Sequence, residues 1–279
     1  MVAKRDRDPK PPPEVMSYYE RFPEESRLMS GPFRLEFERT REILSRVLPK
    51  PPSVVVDVGG AAGAYSSWLS GLGYEVHLVD ASARLVEEAR KRSATLTKPI
   101  SSLRVGDARR LPQEDGSADA VLLMGPLYHL PAAADRLLAL REVSRVLVRS
   151  GVVVTAAISR YASALDGLAR RLSQDPRFVK MRDRDLEDGQ HRNDTDDLSY
   201  FTTAYFHRPE ELVQELESSG FQDARVFGVE GPGWMLPDFD ARWEDTTLRV
   251  DLLALARALE REPSILGASA HLLGVGLKR

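Results

Sequence analysis

The stretch VVVDVGGAAGAY, at positions 54–65, decides the fold of this chain. Its run of β-branched residues predicts a strand that is buried on both faces. Small residues follow the acid at position 57, and they predict a tight turn that leads straight into a helix. Because few side chains crowd such a turn, backbone N–H groups at the start of the helix can approach a ligand closely. The stretch therefore predicts a ligand site at the carboxyl end of the strand.

The residues beyond this stretch continue an alternation of strands and helices. This alternation predicts right-handed crossovers and an α/β fold, in which a mostly parallel sheet carries helices on both faces. The carboxyl ends of the parallel strands then form one crevice, where open sheets of this kind bind ligands. We predict further strands at 74–79, 103–105, 118–124, 151–158, 221–229 and 268–278, and helices at 33–48, 62–71, 82–95, 133–148, 209–219 and 247–260.

Composition excludes several classes of protein. The 279 residues are 42% hydrophobic and 29% charged, and the net charge of −3 argues against a general nucleic-acid binder, which needs a basic face. The absence of cysteine removes disulfides, thiolate nucleophiles and cysteine-ligated metals. Without a signal peptide or an apolar run near ~20 residues, the chain is expected to be soluble and cytoplasmic, with no membrane partner. The acidic stretch 183–197 does not follow the calcium-loop register, so we predict no metal site.

The spacing of the small residues in the turn separates two classes of ligand. The dinucleotide pattern G-x-G-x-x-G falls on Gly59, Ala61 and Ala64, so two of its glycines are missing, which argues against a nicotinamide-dependent oxidoreductase. The pattern acid-x-Gly-x-x-x-Gly is met by Asp57, Gly59 and Gly63. In this it resembles motif I of the class I S-adenosylmethionine-dependent methyltransferases.

Three later positions extend the resemblance in the same order along the chain. Asp80 ends the second predicted strand, 21 residues after Gly59, where an acid can accept both ribose hydroxyls. Gly106-Asp107-Ala108 follows the third strand, where the family often places an acid near the adenine amino group, and MGPLYH at 124–129 follows the fourth, at the motif IV position. The last two strands suit the antiparallel pair that closes the family's sheet. The resemblance implies a Rossmann-like, seven-stranded sheet.

The family also implies the cofactor, S-adenosyl-L-methionine, and the residues that hold it. The segment 18–28 looks like the leading segment of small-molecule members, which commonly folds over the cofactor, and Arg27 in it is expected to pair with the methionine carboxylate. The cofactor-binding residues implied are Tyr19, Arg27, Gly59, Gly60, Ala61, Gly63, Asp80, Ala81, Asp107, Ala108, Met124 and Gly125.

The same patterns divide the chain into segments. We predict a single methyltransferase-like domain at 14–279, preceded by a charged, proline-rich tail at 1–13 that is expected to be mobile. The segment 159–207, which we call the lid, breaks the strand–helix alternation and is too short for a domain of its own. The four segments are an N-terminal helical cap at 14–52, a cofactor-binding half at 53–158, a lid insertion at 159–207, and C-terminal helices and strands at 208–279.

Two histidines are candidate general bases. His129 lies just past the fourth strand, where it can deprotonate an acceptor hydroxyl or amine; the alternative is a histidine that packs under the lid or caps a helix. His207 ends the alternating aromatic stretch 200–207. That stretch is either a wall of the acceptor pocket, with Tyr200, Tyr205 and His207 pointing inward, or a strand that bridges the lid to the core.

The reaction implied is transfer of a methyl group to an oxygen or nitrogen of a small-molecule acceptor, by in-line displacement that depends mainly on proximity. The missing cysteine excludes the nucleophile of C5-cytosine enzymes, and the Pro-Pro-Tyr motif of amino-methylating DNA enzymes is absent, so no nucleic-acid acceptor is expected. A non-catalytic cofactor-binding protein of the same fold stays open as an alternative, and an oxidoreductase as a weaker one. The sequence does not name the acceptor, and it leaves a homodimer open.

Overall fold

The computed structural model describes residues 9–279, apart from the side chain of Glu25. Residues 1–8 of the predicted mobile tail lie outside the described residues. The strands are β1 (Val54–Val58), β2 (Glu75–Asp80), β3 (Ser102–Val105), β4 (Ala118–Leu123), β5 (Leu147–Ser159), β6 (Gln190–His191), β7 (Ala204–His207), β8 (Phe221–Gly228) and β9 (His271–Lys278).

Helices surround these strands on both faces and at the carboxyl edge. Several follow directly from local signals, such as the proline in the first turn of α9 and the left-handed glycine that ends α4. The α-helices of the described residues are α1 (Pro13–Arg21), α2 (Glu24–Arg27), α3 (Phe33–Val47), α4 (Ala64–Leu72), α5 (Ala83–Ala94), α6 (Ala133–Val146), α7 (Ala162–Ala169), α8 (Pro176–Asp188), α9 (Pro209–Ser218), α10 (Phe239–Glu244) and α11 (Thr246–Leu259).

The sheet is mostly parallel, as the alternation of elements predicts. Its parallel part has the order β3-β2-β1-β4-β5, and beyond β5 the strands β9 and β8 follow as the predicted antiparallel pair. Asp57 on β1 lies opposite Leu78 on β2 and Leu122 on β4. These neighbouring strands therefore end at one level and present their turns to the same crevice, and the predicted α/β Rossmann-like fold is confirmed.

The expected number of seven strands is too low. Among residues 9–279 the sheet has nine strands, because the lid insertion adds β6 and β7. Ile158 at the end of β5 lies opposite Phe206 on β7, so β7 is the strand that bridges the lid to the core. β6 is only two residues long and shows no pattern, whereas β7 falls in the alternating stretch 200–207, for which a bridging strand is one of the two predicted alternatives.

Two apolar layers hold the helices against the sheet, one on each face. Alternate residues of β1 divide between them: Val56 packs with Leu140 of α6 and Leu212 of α9, whereas Val55 packs with Leu44 of α3. All five of these side chains are fully buried. Burial of each such side chain contributes about 1.5–3 kcal/mol to the free energy of folding. Truncation of one of them would weaken the packing on its own face of the sheet.

The cap and the lid meet above the carboxyl edge of the sheet. The hydroxyl of Thr203 donates to the Glu14 carboxylate at 3.0 Å, and that of Thr202 donates to the Glu14 carbonyl oxygen at 3.2 Å. On the other side, Arg84 of α5 donates to the carbonyl oxygen of Tyr19 at 2.6 Å. These contacts fix α1 as a cover over the crevice.

Within residues 9–279, every helix falls short of the length and apolar character that a bilayer-spanning segment requires.

Candidate functional site

The turn after β1 is as tight as its small residues predict. Gly59 has φ +75°, and a Cβ there would lie 2.3 Å from Cδ of Pro126. Gly63 has φ +77° and immediately precedes Ala64, the first residue of α4. Ala61, in the place of the family's middle glycine, also has a positive φ, +46°. Only a glycine fits at Gly59 without a clash, so this position fixes the shape of the turn.

Asp57 lies beneath the turn rather than in the crevice. It is fully buried, and one carboxylate oxygen accepts from the hydroxyl of Ser66 at 2.6 Å. Burial raises the pKa of Asp57 to about 6. A Cβ on Gly60 would lie only 2.8 Å from the same carboxylate, so the turn packs directly on it. The role of Asp57 is to hold the turn and α4 in place.

Asp80 joins the turn to the end of β2. Its two oxygens accept from the backbone N–H of Ala61 at 2.9 Å and of Ser82 at 2.8 Å. Burial raises its pKa to about 6, against the opposing effect of these two hydrogen bonds. Each carboxylate oxygen can accept a second hydrogen bond, so Asp80 can hold the turn and still receive two donors from a ligand.

A cleft opens above this turn and encloses about 1150 Å³ including its mouth. We call it the turn cleft. Of the twelve residues expected to bind the cofactor, eleven line it; Gly63 does not, because it lies behind the turn against Ala89 and Ile100. Tyr65 of α4, the last residue of the stretch 54–65, also lines the cleft and is buried, although the spacing of the acid and the glycines does not point to it.

Two of the expected cofactor residues already have charged partners. Asp107 receives two hydrogen bonds from the guanidinium of Arg109, at 2.8 and 2.9 Å. Arg27 donates to both oxygens of Glu36, at 2.6 and 3.2 Å, and to Glu24 at 2.9 Å. Burial lowers the pKa of Arg27, but Glu36 and Glu24 outweigh burial and raise it, so the guanidinium stays charged. Three of its five N–H groups are used in these contacts, which leaves donors for a ligand carboxylate.

His129 is paired with Tyr19 of α1. The Tyr19 hydroxyl lies 2.8 Å from Nε2 of His129, and Nδ1 lies 3.3 Å from the carbonyl oxygen of Thr203. Burial lowers the pKa of His129 to about 4, so the imidazole is neutral. Because a carbonyl oxygen only accepts, we assign the hydrogen to Nδ1; Nε2 then accepts from Tyr19. Burial keeps the pKa of Tyr19 well above its usual value, so the phenol stays protonated.

A second cleft lies between the cap, the lid and the segment that follows β8. It encloses about 1870 Å³ including its mouth, and ten Tyr, Phe and Trp side chains line it. We call it the aromatic cleft. It shares Tyr19, Glu24, Arg27 and Tyr128 with the turn cleft, so the two spaces are neighbours across these four side chains.

The structure places His207 outside both clefts. It is fully buried, and its Nε2 lies 3.3 Å from Glu215 of α9. Tyr205, on the same face of β7, has Arg136 3.7 Å from its ring centroid and donates to Glu211. Phe206, on the opposite face, lines the aromatic cleft, as does Tyr200. His207 therefore drops out as a candidate base, because the face of β7 that carries it packs on α9.

One end of the aromatic cleft is polar. Nδ1 of His271, the first residue of β9, lies 2.5 Å from Glu230 and 3.7 Å from Glu36 of α3. Burial by itself lowers the pKa of His271, but the charges of Glu36 and Glu230 outweigh burial and raise it to about 9. The imidazole is therefore charged at neutral pH. No motif in the sequence points to this group, because its members are far apart in the chain.

Comparison with known proteins agrees with this geometry. Residues 56–155 match the family model described as a methyltransferase domain. Together with the sheet order and the turn, this match confirms the resemblance of the motifs to those of the S-adenosylmethionine-dependent methyltransferases. A Thermotoga maritima structure titled S-adenosylmethionine-dependent methyltransferase, possible histamine N-methyltransferase, has a TM-score of 0.57 and 20% identity. The match covers 94% of this chain and 99% of that one.

Two curated relatives align with part of this chain. "Probable tRNA methyltransferase 9B" of Bos taurus is 33% identical over 115 residues, which are 40% of this chain and 22% of that protein. "Ubiquinone biosynthesis O-methyltransferase" of Xanthomonas campestris is 30% identical over 135 residues, 48% of this chain and 52% of that protein. The chain thus spans between a fifth and about half of the length of these relatives.

Proposed function

We propose that the chain transfers a methyl group from S-adenosyl-L-methionine to an oxygen or nitrogen atom of a small-molecule acceptor. The observation that carries this proposal is the joining of the two clefts. The turn cleft contains Asp80 and the glycine turn, and it meets the aromatic cleft at Tyr19 and Tyr128. The methyltransferase domain match and the two relatives, both named as methyltransferases, support the same activity.

The residues of the turn cleft fit the parts of this cofactor. Asp80 retains acceptor capacity for the ribose hydroxyls, and Asp107 and Ala108 lie beside the space for the adenine. At the other end, Arg27 keeps donors for the methionine carboxylate, and the turn at Gly59 lets the backbone approach closely. When bound, the sulfonium supplies an activated methyl group, so the protein has to contribute alignment and exclusion of water.

Tyr19 and His129 are placed to handle a proton of the acceptor. Because the Tyr19 hydrogen is directed to Nε2 of His129, the lone pairs of the Tyr19 oxygen face other directions. Tyr19 lines both clefts, so an acceptor O–H or N–H at their junction can donate to it. As that proton moves to Tyr19, the proton of Tyr19 moves to His129. The low pKa of His129 makes this pair a weak base, which is sufficient when the leaving group is already good.

A small molecule is favoured over a nucleic acid as the acceptor. The aromatic cleft is covered by α1 and the lid, which are fastened to each other through Glu14 and Thr203. The net charge of −3 gives the chain no overall positive charge to attract a phosphate backbone. The ubiquinone relative is named for a small-molecule pathway and the bovine relative for tRNA, so both acceptor classes are tested below.

The first experiment is calorimetric titration with S-adenosylmethionine, S-adenosylhomocysteine and NAD. We expect the two sulfur compounds to bind and NAD to bind at least tenfold more weakly. Preference for NAD would overturn the proposal in favour of an oxidoreductase. Asp80→Asn serves as the matched variant, since it preserves the shape of the side chain and removes the charge.

The second experiment measures release of S-adenosylhomocysteine with a metabolite panel and, in parallel, with total tRNA. We expect turnover with a member of the panel only. Turnover with tRNA alone would refute the small-molecule acceptor. Cofactor binding with no turnover on either would support the alternative of a non-catalytic cofactor-binding protein.

A further inference from the structure

We propose that the aromatic cleft selects an acceptor with an aromatic ring that carries an oxygen atom, a phenol or a ring carbonyl, and that His271 donates a hydrogen bond to this oxygen. That this ligand is a methyl acceptor rests on the proposed function, whereas the binding preference itself does not. Two independent features of the cleft lead to this class of ligand: its walls and its polar end.

The walls are aromatic on three sides. Tyr18 of α1 meets Phe201 edge to face, with ring centroids 5.4 Å apart, and Phe178 and Tyr200 form a tilted pair at the same distance within the lid. Trp234 closes the cleft from the segment after β8, with its indole N–H already bonded to a backbone carbonyl oxygen. Aromatic rings favour offset and edge-to-face contacts with other rings, so this space favours a flat ring over a saturated chain.

His271 holds a fixed donor at the polar end. Its Nδ1 donates to Glu230, whose second oxygen is held by the hydroxyl of Ser269 at 2.6 Å and by the backbone N–H of His271 at 3.0 Å. These contacts set the orientation of both side chains. Nε2 of His271 has no hydrogen-bond partner within residues 9–279, although the side chain lines the cleft. A ligand oxygen that reaches it would satisfy this donor.

The hydrogen on Nε2 favours an oxygen over an ammonium group, because an ammonium group cannot accept a hydrogen bond. His271 is charged at neutral pH, so Nε2 carries a hydrogen and can only donate. The nearby carboxylates already have cationic partners: Glu36 and Glu24 bind Arg27, and Glu230 binds His271. These three carboxylates and two cations sum to a net charge of −1, which disfavours a ligand with a full negative charge. A neutral or weakly acidic oxygen is what remains.

The test uses four probes built on the same two-ring framework of ten carbons: 2-naphthol, naphthalene, 2-(aminomethyl)naphthalene and decahydro-2-naphthol. Binding is measured by calorimetry on the full chain saturated with S-adenosylhomocysteine, and repeated without it. We expect 2-naphthol to bind at least tenfold more tightly than each of the others. Equal binding of naphthalene would refute the role of the oxygen, equal binding of the decahydro compound would refute the aromatic preference, and tighter binding of the amine would overturn the class.

Two substitutions separate the nitrogens of His271. His271→Asn keeps a donor at the place of Nδ1 and removes Nε2, whereas His271→Gln keeps a donor near Nε2. We expect the Asn variant to lose the preference for 2-naphthol over naphthalene and the Gln variant to retain part of it. An unchanged preference in a folded Asn variant would overturn the proposal, and the wild-type probe series decides the matter if the variants do not fold. Failure of S-adenosylhomocysteine to bind would contradict the proposed function alone.

Discussion

The two clefts of this protein are built in different ways, although they share four side chains. The turn cleft is made by short pieces of chain at the ends of neighbouring parallel strands, and its key contact joins Asp80 to the backbone of Ala61. The aromatic cleft is made by side chains from the cap, the lid and the C-terminal segments, and its polar end joins Glu36 to His271. The first cleft depends on backbone shape and the second on long-range packing, so they should respond differently to mutation and to pH.

The largest effect is expected from Gly59→Ala. The new Cβ would lie 2.3 Å from Pro126 in a backbone with φ +75°, so strain and overpacking add to an estimated cost of about 2–5 kcal/mol. We expect loss of S-adenosylhomocysteine binding and a lower unfolding temperature, measured by calorimetry and thermal denaturation.

Gly116→Ala is the matched control for this substitution. Gly116 also has a positive φ, +60°, but nothing lies within 4 Å of a Cβ built there. Only the backbone strain of about 1–2 kcal/mol should remain, with cofactor affinity preserved. Equal loss of affinity in both variants would mean that the close contact with Pro126 does not shape the turn cleft.

The junction of the clefts is tested by His129→Ala. If His129 acts through Tyr19, the turnover number should fall on the order of a hundredfold, with little change in cofactor affinity. Tyr19→Phe should have a similar effect, and the double variant should be no worse than either single one, because the two groups act as a unit.

His77→Ala provides the control for removal of a histidine, since His77 bonds to Ser102 of β3 and Glu75 of β2 and lines neither cleft. Full activity of the His129→Ala variant would remove the pair from the mechanism. Additive losses in the double variant would show that Tyr19 and His129 act separately.

Asp80→Asn should weaken cofactor binding by about 2 kcal/mol, roughly thirtyfold, because charge-assisted hydrogen bonds to the ribose are lost. The aromatic cleft should be unaffected, so binding of 2-naphthol is the internal control. Unchanged cofactor affinity in this variant would contradict the ribose role of Asp80.

The turn cleft could be predicted from sequence because its geometry is local. The acid, the glycines and the next acid all lie within one strand–helix–strand unit, so spacing along the chain fixes their positions in space. The same spacing predicts that Gly63 contacts the ligand, but its place in the turn lies behind the cleft. The spacing predicts the position of the loop, but it does not predict which atoms of the loop face the cleft.

The aromatic cleft could not be predicted in the same way. Alternation in the stretch 200–207 correctly indicates a strand, yet which face meets the cleft depends on the pairing of Ser159 with His207, and a shift of one residue exchanges the faces. His271 gains its charge from Glu36 and Glu230, which lie on other elements. The periodicity of residues along the chain does not predict contacts between elements that are so far apart in sequence.

The smallest effect, and the sharpest comparison of the clefts, is the pH dependence of cofactor binding. Burial raises the pKa of Asp80 to about 6, and the ribose hydroxyls need the ionised form as acceptor. Affinity for S-adenosylhomocysteine should therefore be constant above pH 7 and fall as the pH drops through 6, by about tenfold at pH 5.

The affinity should be measured rather than the stability, because Asp80 and His129 change the stability with pH in opposite directions. A raised pKa in Asp80 favours the folded state at low pH, and stability from this group is lost as the pH rises through 6, whereas the lowered pKa of His129 disfavours the folded state at low pH. In Asp80→Asn the affinity should be low and nearly independent of pH. Asp57 has a similar pKa but bonds to Ser66 beneath the turn, so a pH dependence that persists in Asp80→Asn would assign the titration to Asp57. Binding of 2-naphthol should not change over the same range, because His271, with a pKa of about 9, stays charged throughout it.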